Sequence, residues 1–259
     1  MDVVVVVPAR NESDRIATCL GSVRISLQQA VAAGAVERVA VAVVGHHCVD
    51  DTLGRAERAL AGLPHVLVSD QTSTTVGDVR ARGVHAALDL LPGRVPGSAR
   101  DRVRRPVWIL NTDADSVVPS SWVLEVLAHA GREQHAVVGM AHLARRGAAS
   151  DRPHGHSPAA AAYRAIIRGG LHGRTHDHIY GANLAVRADA YAAVGQFPAV
   201  TVGEDRALVE ALVAAGRPVV RPLDLVVTTS ARRHGRAVGG LATLLNTLDH
   251  ACAPATEGG

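Results

Sequence analysis

The sequence of 259 residues predicts an α/β protein with a mostly parallel central sheet, helices on both faces and a less regular second half. Two observations carry this prediction. The chain opens on an uninterrupted run of valines at 3–7, which is typical of a strand covered on both faces. Strand-like and helix-like segments then alternate four times in roughly 110 residues, which favours right-handed crossovers in an open parallel sheet.

The strands and helices of the first half follow from apolar runs and their boundaries. Asn11 and Ser13 supply N-cap oxygens for a helix that runs towards Gly34, and Asp51 begins a second, shorter helix. A third helix is predicted at 76–91. The predicted strands are 3–7, 39–44, 66–68 and 107–110, and the polar stretch at 92–105 predicts an exposed loop.

The second half is less regular. Helical spacing predicts helices at 120–130, 159–167, 204–215 and 239–250. Short apolar runs predict strands at 136–140, 182–186 and 226–228. The stretch 145–158 is rich in Gly, Pro, His and charge, which predicts a mobile loop, and the tail at 251–259 is expected to be frayed.

The basic complement excludes several enzyme classes. All 27 basic residues are arginine, because the sequence contains no lysine. P-loop NTPases, protein kinases, PLP enzymes and Schiff-base aldolases each need a lysine and are therefore excluded. The net charge of +3 allows ligands that carry phosphate without requiring nucleic acid.

Other residue types narrow the class further. Aromatic residues make up 2% of the chain, too few to supply stacking platforms for single-stranded nucleic acid. Cys19, Cys48 and Cys252 form no CxxC pair, and the histidines lack zinc spacing, so neither a disulfide framework nor a zinc site is expected. No apolar run reaches the length of a signal peptide core or a membrane span, and we expect a soluble cytoplasmic protein.

The strongest local motif is the segment 111–116, which follows a predicted buried strand. Asp113 and Asp115 stand two residues apart, so their side chains point the same way on an extended segment. Two carboxylates held so close repel each other unless a cation lies between them, and oxygen ligands suit Mg²⁺ or Mn²⁺. The alternative is an Asp-rich turn that caps the next helix.

Three further signals are weaker on their own. No glycine follows the first strand before Leu20, which argues against a dinucleotide-binding loop. Glu204 and Asp205 open a predicted helix, where the helix dipole is itself a sufficient reason for acidic residues. The run 230–236 holds three arginines that could grip a diphosphate, although such runs are more often solvated patches.

Taken together and in order, six segments resemble the family 2 glycosyltransferases of the GT-A fold. They are VVVVVPARNESDRIATCLGSV, VAVVGHHCVDDT, ILNTDADSVVPSSWV, YGANLAVRADAYAAVGQFP, GEDRALVEAL and TTSARRHGRAVGG. The resemblance implies one GT-A domain at 1–250, with a nucleotide-binding half at 1–116 and an acceptor-side half at 117–250. It also implies transfer of a sugar from a nucleoside-diphosphate sugar to an acceptor hydroxyl, dependent on Mn²⁺ or Mg²⁺.

The resemblance assigns roles residue by residue. The nucleotide sugar would contact Pro8, Ala9, Arg10, Asn11, Glu12, Asp51, Arg80, Asn111, Thr112, Asp113, Ala114, Arg232, Arg233 and Arg236. The metal would be held by Asp113, Asp115 and His234, with Asp115 the more direct ligand. The acceptor side would be formed by Trp122, Tyr180, Gly181, Ala182 and Asn183. Asp205 would be the catalytic base and Glu204 its neighbour, in an inverting reaction. Trp122 is open to a second interpretation, as a core residue.

The sequence departs from the family pattern at one position, and it leaves several alternative functions open. Gly45, followed by His46 and His47, stands where the family usually has an aspartate that touches the nucleobase or ribose, so the nucleotide is not identified. A retaining transferase, a nucleotidyltransferase and a catalytically decayed binding protein are the alternatives. The acceptor class (small molecule, lipid or carrier-linked sugar), peripheral membrane contact and homo-oligomerisation are also left open.

Overall fold

A computed structural model describes residues 1–91, 106–144 and 158–230, together with Thr247. The predicted loop at 92–105 lies outside the described residues, as do the tail and all of the predicted last helix except Thr247. The loop predicted at 145–158 also lies outside them, apart from Pro158, which begins a helix. Within the described part of the chain, no helix is long and apolar enough to cross a membrane.

The first half alternates strands and helices as predicted. Its elements are β1 (Asp2–Ala9), α1 (Ile16–Ala32), β2 (Arg38–His46), α2 (Thr52–Leu60), β3 (His65–Asp70), α3 (Val76–Asp89) and β4 (Val107–Asn111). The valines of β1 are fully buried and alternate between two cores, because successive side chains of a strand point to opposite faces. Val3, Val5 and Val7 pack with α1, while Val4 and Val6 pack with α3.

The main sheet has seven strands, in the order β11 (Val219–Val220), β6 (Ala136–Val138), β10 (Leu184–Arg187), β4, β1, β2 and β3. The strands β4, β1, β2 and β3 run parallel, which places their carboxyl ends at one edge of the sheet. The strand β10 is antiparallel to both of its neighbours, so the sheet is mostly but not wholly parallel. Ligands of open α/β sheets bind beyond the carboxyl ends of the strands.

The second half consists of shorter elements, some of which extend the main sheet beyond β4. They are β5 (Ser116–Val117), α4 (Trp122–Ala130), β6 (Ala136–Val138), β7 (Met140–Leu143), α5 (Pro158–Gly169), β8 (Leu171–His172), β9 (Thr175–His176), a 3-10 turn (Gly181–Asn183), β10 (Leu184–Arg187), α6 (Ala188–Ala193), α7 (Glu204–Ala214), β11 (Val219–Val220) and β12 (Val226–Thr229). A second sheet of three strands has the order β5-β12-β7.

Two predicted strands of this half are wrong in their bounds. The single strand predicted at 136–140 is two strands in different sheets, divided at Gly139. A Cβ at Gly139 would lie 2.2 Å from the Asn183 side-chain nitrogen, so the close approach of these segments requires glycine. The strand predicted from residue 182 begins only at Leu184, because residues 181–183 form the 3-10 turn.

Candidate active site

The segment that follows β1 is tied to the loop that follows β2. Asn11 has a left-handed backbone (φ 54°), and its side-chain oxygen accepts a hydrogen bond from the Val49 amide at 2.8 Å. The Glu12 amide donates to the hydroxyl of Thr52 at 2.7 Å. These contacts fix the backbone of the predicted nucleotide-binding segment 8–12, in which the Arg10 side chain is exposed.

The neighbours Asp50 and Asp51 have different surroundings. Asp50 accepts hydrogen bonds from the Ser13 amide and from Thr52. Burial would raise the pKa of Asp50, but these hydrogen bonds outweigh it and lower the pKa to about 2. The side chain of Asp51, the predicted nucleotide contact, is 57% exposed and pairs with Arg58 on α2 at 2.6 Å. Sequence reasoning missed Asp50, although an Asp two residues before a Thr is a signal for such a turn.

At the end of β2, two imidazoles follow Gly45, the residue that stands where an aspartate was expected. The ring of His46 lies next to that of His47, with centroids 4.4 Å apart. His46 Nε2 lies 2.9 Å from the carbonyl oxygen of Ser73, and His47 Nδ1 lies 2.9 Å from the side-chain oxygen of Gln71. The turn after β3 therefore orients both rings.

The paired aspartates follow β4, as predicted. Both carboxylates are half-buried, while Asn111, Thr112 and Ala114 around them are buried. Cys19 on α1 donates a hydrogen bond from its thiol to the carbonyl of Asp113. Burial raises the pKa of this thiol, and the negative charges of Asp113, Asp115 and Glu12 raise it further. Cys19 thus ties α1 to the backbone of the aspartate motif.

Arg80 on α3 connects the aspartate motif to the start of α7. Its side chain is 4% exposed and forms two ion pairs, from Nη2 to Asp113 at 2.7 Å and from Nε to Glu204 at 3.2 Å. Burial alone would lower the pKa of Arg80, but the charges of Asp113, Glu204 and Asp205 raise it. Nη1 is buried and meets no hydrogen-bond partner among the described residues.

The 3-10 turn completes this arrangement. A Cβ at Gly181 would lie 2.5 Å from Arg80 Nη2, so only glycine leaves room for the guanidinium. The Gly181 amide donates to Asp205 Oδ2 at 2.7 Å, and the Arg206 amide donates to Asp205 Oδ1 at 2.7 Å. Asp205, the predicted base, lies in the first turn of α7 and is therefore oriented by two backbone amides.

The predicted acceptor-side residues separate into two groups. The Trp122 side chain is fully buried and donates its indole hydrogen to Asn183 at 2.9 Å, and Asn183 itself donates to two backbone carbonyls. This geometry favours the core interpretation of Trp122. Ala182 is also buried, whereas Tyr180 is half-buried and precedes the turn that holds Asp205.

Tyr163 on α5 is a neighbour of Tyr180 that sequence reasoning missed. Burial raises the pKa of the Tyr180 hydroxyl, and the charge of Tyr163 raises it further. Tyr163 is 8% exposed, and neither hydroxyl makes a hydrogen bond of good geometry to another described residue. No sequence signal pointed to Tyr163, because only the packing of α5 brings it near Tyr180.

The remaining predicted residues lie outside the described part of the chain. They are the predicted metal ligand His234 and the diphosphate-binding arginines Arg232, Arg233 and Arg236. The described residues contain no group of three or more His, Cys, Asp or Glu side chains placed to hold a metal ion. The described site therefore offers two carboxylates, Asp113 and Asp115, and an incoming metal would take its other ligands from elsewhere.

Comparison with known proteins identifies the fold. No family model matches the chain, and no curated protein sequence matches it. The mannosyltransferase PcManGT from Pyrobaculum calidifontis, solved with GDP-Man and Mn²⁺, superposes with a TM-score of 0.55 at 16% identity, over 96% of this chain and 69% of its own length. S. aureus TarS 1-349, solved with UDP-GlcNAc, superposes with a TM-score of 0.58 at 14% identity, over 92% of this chain.

This chain spans 60% of that TarS fragment. Both superpositions extend over most of this chain, whose mainly parallel seven-stranded sheet confirms the predicted architecture. The chain therefore has the fold of the GT-A glycosyltransferases.

Proposed function

We propose that this protein is a metal-dependent glycosyltransferase of family 2 type. It moves a sugar from a nucleoside-diphosphate sugar to an acceptor hydroxyl, with inversion at the anomeric carbon. In this proposal residues 1–116 bind the nucleotide and residues 117–250 provide the acceptor side. The similar structures were solved with GDP-Man or with UDP-GlcNAc, which supports a nucleotide-sugar donor.

One observation carries the proposal. Four carboxylates from distant parts of the chain meet at the carboxyl edge of the parallel strands: Asp113 and Asp115 after β4, and Glu204 and Asp205 at the start of α7. Arg80 bonds Asp113 and Glu204 and thereby joins the two pairs. Open α/β sheets bind their ligands at this edge. Here the paired aspartates are suited to bind a metal ion, and Asp205 is suited to accept a proton.

The aspartate motif fits a divalent metal. Its donors are carboxylate oxygens, which Mg²⁺ and Mn²⁺ prefer, and Asp113 keeps one oxygen outside its ion pair with Arg80. Asp113 and Asp115 would hold the ion, with His234 as the proposed third protein ligand. When bound, such an ion neutralises charge that builds on the diphosphate leaving group. The arginines at 232, 233 and 236 would add charge-assisted hydrogen bonds to the same group.

The residues of α7 would perform the proton transfer. The acceptor oxygen forms a bond to the anomeric carbon as the bond from that carbon to the diphosphate oxygen breaks. The acceptor proton passes to the carboxylate of Asp205, which the amides of Gly181 and Arg206 hold in place. Each carboxylate oxygen of Asp205 has two lone pairs. An oxygen that accepts one amide hydrogen can therefore still accept the proton of the acceptor hydroxyl. General-base assistance contributes roughly 10²–10⁴ in rate.

The proposal is tested by separating donor binding from turnover. Donors are first screened by thermal shift with Mn²⁺, since a bound donor raises Tm by mass action. Asp205→Asn is expected to abolish most turnover while the donor Kd stays unchanged. Asp115→Ala is expected to remove the part of donor affinity that depends on Mn²⁺, measured by calorimetry with and without the ion.

Three results would contradict the proposal. Release of pyrophosphate instead of a nucleoside diphosphate would indicate a nucleotidyltransferase. A product with retained anomeric configuration by NMR would remove the role of Asp205 as base. Equal loss of donor affinity and of turnover in Asp205→Asn would place Asp205 in donor binding. Glu210→Gln is the matched control, because Glu210 is an exposed carboxylate on α7 outside the site.

A further inference from the structure

We propose that Arg80 is a positioning residue that couples the donor side to the acceptor side of the site. This inference rests on the proposed function and adds to it. The guanidinium is shared between Asp113, which follows β4, and Glu204, which begins α7. A shared cation makes the strength of each ion pair depend on the other.

The geometry leaves Arg80 little freedom to serve the two carboxylates independently. The Arg80 side chain is 4% exposed, and Gly181 packs against Nη2 so closely that a Cβ there would lie 2.5 Å away. Ion pairs that are shielded from water are screened less than exposed ones. A small movement of the guanidinium towards one carboxylate is therefore a movement away from the other.

Two direct connections link Arg80 to the proposed base, Asp205. Glu204 is adjacent to Asp205, and Asp205 accepts the amide hydrogen of Gly181, the residue that lies against Arg80. If a metal and donor were bound at the carboxylate of Asp113, the hold of Asp113 on Arg80 would weaken, and Arg80 would bind Glu204 more strongly. Donor loading would thus fix the start of α7 and orient Asp205 before the acceptor reacts.

The same linkage predicts an effect in the opposite direction, because coupling between sites is reciprocal. Glu204→Gln leaves the guanidinium wholly to Asp113, which makes Asp113 less available to the donor. We expect this variant to weaken binding of Mn²⁺ with UDP or with GDP about threefold to tenfold. A lysine ammonium group cannot bind two carboxylates from two sides as the planar guanidinium of arginine does. In an Arg80→Lys background, Glu204→Gln is therefore expected to change the Kd less than twofold.

The experiment is a double-mutant cycle by calorimetry, with Mn²⁺ and UDP or GDP as probes and Arg82→Met as the matched control. Arg82 lies on the same helix but is 46% exposed and pairs with Asp70 instead. In the Arg82→Met background, Glu204→Gln should keep its full effect. An equal effect of Glu204→Gln in the wild-type and Arg80→Lys backgrounds, or no effect in the wild type, would overturn the coupling.

A second measurement does not depend on nucleotide binding. Asp113→Asn weakens one ion pair of Arg80, so Arg80 binds Glu204 more strongly, and hydrogen exchange at Gly181 and at residues 204–207 is expected to slow about threefold to tenfold. Unchanged exchange at these amides would refute the coupling even if donor binding is confirmed. Accelerated exchange would refute it as well, whereas slower exchange in a protein that binds no nucleotide would support the coupling and contradict the proposed function.

Discussion

The two ends of the site are held together by different forces. On the proposed nucleotide side, the segment after β1 is fixed by hydrogen bonds that Asn11, Asp50 and Thr52 form with backbone amides. On the proposed acceptor side, the start of α7 is fixed by the buried Arg80 and its two carboxylates. A hydrogen bond contributes about 1 kcal/mol net, whereas a buried charge that loses its partner costs several kcal/mol. The nucleotide side should therefore tolerate single substitutions that the acceptor side does not.

The largest expected effect is that of Arg80→Met. This change leaves the largely buried Glu204 and the half-buried Asp113 without the buried cation between them, and we expect a loss of about 3 kcal/mol in the free energy of unfolding. Urea denaturation at pH 7 measures it. Arg82→Met on the same helix is the comparison, with an expected loss of about 1 kcal/mol or less, because its guanidinium is 46% exposed and its buried partner Asp70 keeps hydrogen bonds from the Thr72 and Ser73 amides. Similar losses for the two variants would mean that burial does not distinguish the two ion pairs.

An intermediate effect is expected at Asp70, which ends β3. Burial would raise the pKa of Asp70, but hydrogen bonds from Ser73 and Thr72 and the charge of Arg82 outweigh it and lower the pKa to about 2. A lowered folded-state pKa stabilises the protein above the ordinary value near 4, and this stabilisation is lost as the pH falls towards 2. The contribution is at most about 2 kcal/mol.

Urea midpoints between pH 6 and pH 2.5 test this expectation. The wild type should lose stability steadily below pH 4, while Asp70→Asn should start lower at pH 6 and lose less on acidification. Parallel curves for the two proteins would show that Asp70 does not carry this pH dependence.

The smallest effect is expected at Asn11 on the nucleotide side. Asn11→Gly keeps the left-handed backbone accessible and removes only the hydrogen bond to the Val49 amide, with an expected loss of about 1 kcal/mol. Asn11→Ala also strains the backbone and should cost about 1 kcal/mol more. Thermal denaturation of the two variants separates the contribution of the hydrogen bond from that of the backbone strain. A glycine variant less stable than the alanine variant would contradict the role of the left-handed backbone.

Much of the architecture could be predicted, and the failures have a common cause. The valine run of β1 and the helices of the first half follow from local periodicity, and the structure confirms them. The strand predicted at 136–140 failed because Gly139 faces the side chain of Asn183, a contact between residues 44 positions apart in the sequence. Periodicity carries no information about such a contact.

The site shows the same division. The sequence by itself determined that Asp113 and Asp115 follow a buried strand and that Glu204 and Asp205 begin a helix, because strand ends and helix starts are set by neighbours in the chain. Only the tertiary structure decided that Arg80 is buried between Asp113 and Glu204, that Gly181 leaves room for its guanidinium, and that Trp122 belongs to the core. The physical reason is that burial and ion pairing arise between segments that only packing of the sheet brings together.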